Sequence, residues 1–108
     1  MNLTTEIFGD VVVVHAPDDL GAEQAEEFEA FMATIDPRQV VLDLDGTESI
    51  DSAGLSSLLD AQAALRTLGG DVKIATTNAT NRKILEITGL DEQLEVFAGV
   101  IDAVKSFR

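Results

Sequence analysis

Along this chain the hydrophobic positions change period several times, and each change marks an element. Leu3 to Phe8 and the run Val11-Val12-Val13-Val14-His15 flank Gly9-Asp10. Two short strands joined by a tight turn are predicted there, because Gly-Asp supplies turn conformers between β-branched runs. From Gly21 to Ile35 the apolar Ala25, Phe28, Met32 and Ile35 recur at helical spacing, with Glu23, Glu26, Glu27 and Glu29 filling much of the remainder. The spacing predicts an amphipathic helix with an acidic outer face. Asp36-Pro37 is expected to stop it, since proline disfavours the helical conformation in the residue before it. Val40 to Asp45 begins as a continuous apolar run and then alternates, the pattern of a largely buried central strand, with Gly46 ending it.

After a short loop, Ser52 precedes a helical pattern in which Leu55, Leu58, Leu59, Leu65 and Leu68 face inward, closed by Gly69-Gly70 as a left-handed cap. Asp71 to Thr76 reads as another short strand. Strand, helix and strand form a βαβ unit, so these two strands are expected to be parallel with a right-handed crossover. A further helix is expected from Thr80 to Thr88, with Asn78 or Thr80 as N-cap and Gly89 as its end. Leu94 to Phe97 reads as a strand, and Val100, Ala103, Val104 and Phe107 mark a closing helix. The sum is an α/β fold of one domain over residues 1–108, a mostly parallel sheet of about five strands entered through an N-terminal hairpin, with about four helices.

Composition narrows the chemistry. The 108 residues are 45% hydrophobic and 25% charged, values suited to one folded domain. Cysteine is absent, which removes disulfides and thiolate chemistry, and His15 is the only histidine. No metal site and no cofactor is expected. Twenty acidic against seven basic residues give a net charge of -13, which repels nucleic-acid backbones and anionic membranes and suits a basic partner. Neither direct nucleic-acid binding nor membrane insertion is expected. The start MNLTTEIFGD carries neither a basic segment nor an apolar signal core, and cytoplasmic placement is the expectation. Phe28, Phe31, Phe97 and Phe107 fall at core spacing, and Arg82-Lys83 is expected to interact with its own helix's surroundings.

Chemistry in open parallel sheets gathers at the carboxyl ends of strands beside helix N-termini. The stretch Gly46 to Leu55 takes that place. Ser52 is expected as the N-cap of the long helix. Gly54 in the first turn costs about 1 kcal/mol against alanine and signals that another surface approaches the backbone there. As a nucleophile elbow the site fails, because Ile50 stands where the first glycine of G-x-S-x-G is needed and His15 belongs to a different strand. A magnesium pocket built from Asp18-Asp19 with Asp45 or Asp51 fails on the order of elements, and on Lys73, which lies at a strand's start instead of a last strand's end. No catalytic residue is assigned.

Val40-Val41-Leu42-Asp43-Leu44 leading to Ile50-Asp51-Ser52-Ala53-Gly54-Leu55, the Gly69-Gly70 turn, and Ile84-Leu85-Glu86-Ile87-Thr88-Gly89-Leu90 together resemble the STAS domain, in its anti-sigma factor antagonist branch. The D-S-x-G-L and L-x-x-x-G-L signatures are both matched. The resemblance implies a bacterial regulator that is not an enzyme. Its serine, here Ser52, is phosphorylated by a partner that is both anti-sigma factor and serine kinase. The unphosphorylated form binds that partner, phosphorylation ends the binding, and a serine phosphatase resets it. Asp51, Ser52, Ala53, Gly54, Leu55, Ser56 and Leu59 are the expected partner surface. Gly21 departs from the family pattern, which has an aspartate there, and Asp18 or Asp19 is placed to substitute after a loop shift. The family's other use of the fold is a constitutive adaptor in lipid-transport or sensory complexes, without phosphorylation. Oligomeric state is left open.

Overall fold

The computed structural model describes residues 1–36 and 39–107. Strands β1 (Thr5–Phe8) and β2 (Val11–His15) form the hairpin, turning at Gly9-Asp10. β4 (Gln39–Asp43), β6 (Asp71–Ala75) and β7 (Val96–Phe97) complete a five-stranded sheet in the order β1-β2-β4-β6-β7, parallel throughout except for the hairpin. Register aligns Val13, Val41 and Lys73 on one face, and Val14, Leu42 and Ile74 on the other. Alternate side chains of a strand point to opposite faces. The four consecutive valines of β2 are therefore all buried because each face has its own core.

The larger core takes Val12, Val14, Val40, Leu42, Val72 and Ile74 against two helices, α1 (Ala22–Ala33) and α2 (Ser52–Thr67), with Leu85 from α3 (Ala79–Ile87). Phe28 and Met32 of α1 and Leu58 and Leu65 of α2 fill it, each at most 1% exposed. Burying each such side chain contributes roughly 1.5–3 kcal/mol. The opposite face packs Val11, Val13, Val41 and Ala75 under the short helix α4 (Val100–Lys105). Lys73, expected at a strand's start, is the middle residue of β6 and is buried. Its ammonium lies 4.4 Å from the Phe107 ring centre, hydrogen-bonds Ser106 Oγ at 2.9 Å and stands 3.3 Å from Glu95, tying the chain's end to the sheet.

Several boundaries differ from expectation for local reasons. The central strand ends at Asp43, where Asp43 Oδ1 accepts the Asp45 N–H and turns the chain. Helix α1 ends at Ala33, with Thr34 as its C-cap; Pro37, the expected stop, lies outside the described residues. Leu94 precedes β7 as a buried residue after a 3₁₀ turn at Leu90–Glu92, so the last strand has two residues. The closing helix stops at Lys105, short of Phe107. At the end of α2, Gly69 takes φ +84°, and the N–H groups of Gly69 and Gly70 return to the carbonyls of Arg66 and Leu65. That is a Schellman closure. Two further strands, β3 (Asp19–Leu20) and β5 (Ser49–Ile50), pair in parallel as a separate two-stranded sheet that hydrophobic period does not reveal.

Gly54 faces this small sheet. A Cβ there would overlap the Leu20 carbonyl oxygen and stand 2.9 Å from its carbon. The surface that approaches Gly54 is thus the chain's own. His15, at the end of β2, engages Asp43 through Nδ1 at 2.8 Å and Glu6 through Nε2 at 2.9 Å. The Glu6 bond foremost, with the bond to Asp43 and both charges, outweighs partial burial and raises its pKa above 6.5.

Two outcomes follow from these contacts. Gly54→Ala, although alanine favours helix, lowers stability by about 2 kcal/mol because backbone overlap cannot relax, which thermal melts would read as a fall in Tm of several degrees. A raised histidine pKa contributes stability that is whole below the unfolded value and lost as pH rises through the folded value. Urea denaturation between about pH 6 and 8 therefore shows stability falling with pH in the wild type, and less steeply in His15→Asn.

Candidate functional site

The connections leaving the carboxyl ends of β2 and β4 run side by side. Thr47 Oγ1 donates to the Pro17 carbonyl at 2.8 Å, and the Glu48 N–H donates to that of Asp18 at 2.7 Å. Ser49 Oγ donates to Asp19 Oδ1 at 2.7 Å, and the Asp51 N–H to the Leu20 carbonyl at 3.3 Å. These bonds make the β3–β5 pair, which sets the start of α1 beside the start of α2. Asn81, buried in α3, donates through Nδ2 to the carbonyls of Leu44 and Thr47, holding the base of the second connection. Asp45 fixes its flank, accepting the Thr77 N–H at 2.6 Å; burial works to raise its pKa, but the hydrogen bonding around it, Thr77's foremost, outweighs that and lowers it.

Asp51 sits where the two helices meet. Its Oδ1 accepts the Gly54 N–H at 2.9 Å, and its Oδ2 accepts the Ala22 N–H at 3.0 Å. One carboxylate thereby caps both α1 and α2, meeting the positive end of each helix dipole. The Gly54 bond first, then the Ala22 bond, hold its pKa below the usual carboxylate value. Gly21 belongs to this arrangement, since a Cβ at that position would stand 2.9 Å from Asp51 Oδ2 and 3.5 Å from Asp19 Oδ1. The open cleft beside it is lined by Asp19, Gly21, Ala22, Glu23, Gln24 and Asp51. Asp19 thus stands next to position 21 without a loop shift.

Asp51, not Ser52, is the N-cap of α2. Asp51 is extended (φ -104°, ψ -176°), the conformation from which a side chain reaches the first turn, whereas Ser52 is already helical. The Ser52 side chain is exposed and hydrogen-bonds to none of the described residues. Of the other residues expected at the surface, Ser56 is exposed and Leu55 and Leu59 are half-buried. With Ser52 they follow helical spacing along one stripe. Ala53 is half-buried, and Gly54 is buried against Leu20. Asp19, Ser49, Gly21 and Ala22 also belong to the site. Of these, Asp19, Gly21 and, within the Gly46–Leu55 stretch, Ser49 are named from sequence, but nothing in the pattern pairs Ser49 with Asp19 or brings Ala22 to the site.

Arg82 donates to the Thr76 carbonyl at 3.1 Å and Lys83 lies 3.6 Å from Glu86, so this basic pair serves its own surroundings. Among the described residues no three histidine, aspartate or glutamate side chains converge on a metal position. No described helix is long and apolar enough to cross a membrane.

The double cap is testable by substitution. Asp51→Ala lowers Tm at neutral pH and speeds amide hydrogen exchange at both Ala22 and Gly54, while Ser52→Ala changes neither. Acceleration at Gly54 alone would show that α1 does not depend on the carboxylate.

Comparison with known proteins agrees with this architecture. A family model described as STAS domain matches residues 2–103. An anti-sigma factor antagonist from Mycobacterium paratuberculosis superposes with a TM-score of 0.84 at 22% identity, over 97% of this chain and 92% of that one. For an anti-sigma-factor antagonist (STAS) domain protein from Planctomyces limnophilus the TM-score is 0.78 at 22% identity, over 96% of each chain. The Bacillus cell fate determinant SpoIIAA, in its phosphorylated form, gives 0.71 at 19% identity, over 99% of this chain and 100% of that one. At such identities the superpositions speak for the fold, and the family model, spanning nearly the whole sequence, speaks for descent: the chain belongs to the STAS domain family.

Proposed function

We propose that this protein is a cytoplasmic anti-sigma factor antagonist, a binding module switched by phosphorylation at Ser52. Unphosphorylated, it holds an anti-sigma factor that is also a serine kinase. Phosphorylation releases that partner, and a serine phosphatase restores binding. The observation that carries this reading is the spare hydroxyl of Ser52, exposed on the first turn of α2 while Asp51 does the capping. Modification there removes no hydrogen bond that the fold uses.

The electrostatics suit a switch. A phosphate adds a charge of about -1.5 to -2 at a helix N-terminus, where the dipole favours it by about 0.3–1 kcal/mol. Asp51 opposes it, since two unit charges about 4 Å apart near a surface repel by about 4 kcal/mol before screening. The phosphate is therefore driven outward into water. A partner lying on Ser52, Leu55, Ser56 and Leu59 would have to desolvate it, so a modification that leaves the fold intact abolishes the complex. Asp19, beside Gly21, supplies the carboxylate that the family carries at position 21. The Bacillus protein of the same fold, whose structure is of a phosphorylated form, supports the reading by analogy.

The test uses intact-mass and peptide analysis of the wild type and Ser52→Ala after incubation with ATP and lysate of the source organism, each protein also serving as bait. Expected is one phosphate on Ser52 of the wild type and none on the variant, with a kinase-fold partner held by both before ATP and lost only from the wild type after it. Ser52→Glu weakens the partner by at least about tenfold with Tm little changed. Equal, ATP-insensitive capture by both proteins would leave a constitutive adaptor in its place.

A further inference from the structure

The groove between α1 and α2 lies two turns beyond the switch and plays no part in it. Glu29, Met32 and Ala33 line it from α1, and Asp60, Ala61 and Ala64 from α2, around a hollow of about 240 Å³. Met32 and Ala61 make a buried floor, while Ala33 and Ala64 are exposed at its sides. Three alanines leave open a space that longer side chains would close.

Its rim is acidic in a particular way. Glu29 and Asp60 come from different helices and line the same hollow. Interaction with Asp60 first, then burial and the charges of Asp60 and Glu26, raise the Glu29 pKa above its ordinary value. Among the described residues neither carboxyl meets a cation. Helix α1 has no basic residue and adds Glu23, Glu26 and Glu27, while Arg66 near the end of α2 is held by Asp71 at 3.1 Å. Two carboxyls above an apolar floor thus stand without a cation beside them.

We propose that this groove is a docking surface for a basic segment of a partner protein, which lays an arginine's methylene stem over Ala33 and Ala64 and places the guanidinium between Glu29 and Asp60. The planar guanidinium has five donors, enough to serve two carboxylates at once, and its stem packs on apolar surface while the head stays charged. The chain's net charge of -13 draws such a segment in. Asp60 is eight residues beyond Ser52, about 12 Å along the helix axis, which is more than a Debye length at physiological salt. The groove is a second contact, separate from the phosphorylation site.

The experiment is an NMR titration with a synthetic alanine-based helical peptide bearing arginines at i, i+4 spacing, against a control peptide with glutamate in their place, at ionic strength about 0.15 M. Shift changes concentrated at the methyl groups of Ala33, Ala61 and Ala64 are expected with the arginine peptide only. Glu29→Gln combined with Asp60→Asn weakens it by about tenfold, while Asp91→Asn combined with Glu92→Gln, which removes the same charge at the 3₁₀ turn, stays within about twofold. Circular dichroism of both double variants verifies that they fold. Shift changes spread over the whole acidic surface or centred on Ala53, an equal loss in the Asp91/Glu92 variant, or no binding would each overturn the proposal.

Discussion

The structure around the site depends on one carboxylate. Asp51 reaches the N–H of Ala22 with one oxygen and that of Gly54 with the other, so two helices that start 30 residues apart begin from a common point. Each helix leaves backbone donors unpaired at its start, and a charged acceptor shared between them satisfies one donor in each. The surrounding geometry is subordinate to that contact. A Cβ at Gly21 would crowd Asp51 Oδ2 at 2.9 Å, and one at Gly54 would overlap the Leu20 carbonyl. The β3–β5 pair, two residues from each connection, supplies the hydrogen bonds that keep Leu20 and Asp51 in place.

This clamp also explains how a serine at a helix start can be free. A serine in the capping position would spend its hydroxyl on the backbone, and modifying it would remove the cap. With Asp51 doing that work, Ser52 faces water on the first turn, and the α2 stripe of Leu55, Ser56 and Leu59 continues the surface away from it. Stability and accessibility are carried by neighbouring residues rather than competing for one. The two sides of the sheet divide in a comparable way. The face under α1 and α2 carries the larger core and the site, while the opposite face is closed by a six-residue helix and by Lys73 between Phe107, Ser106 and Glu95.

Much of this was legible in residue order, for reasons that lie in the period of side chains. Val11–Val14 and Val40–Leu44 announced interior strands because consecutive apolar residues suit a strand buried on both faces. The spacing of Phe28 and Met32, and of Leu58 and Leu65, announced the helices that cover them. Gly54 announced a close approach, and Asp51-Ser52-Ala53-Gly54-Leu55 located the site. Residue order could not say that the approaching surface was Leu20, nor that Asp51 rather than Ser52 would cap, since both residue types are good caps and stand side by side.

What the sequence by itself determined, then, is the α/β architecture, the βαβ unit and the position of the serine, all of which follow from local period and local turn chemistry. Tertiary structure alone decided that Asp51 would serve two helices, that Ser49 would bond Asp19, that Lys73 would be buried, and that Glu29 and Asp60 would line one groove. Each of these pairs residues some 30 positions apart, apart from Lys73 and its neighbour Glu95, which are closer. Contacts at such separations are set by how the strands order themselves in the sheet and the helices pack upon it, and no local propensity encodes that order.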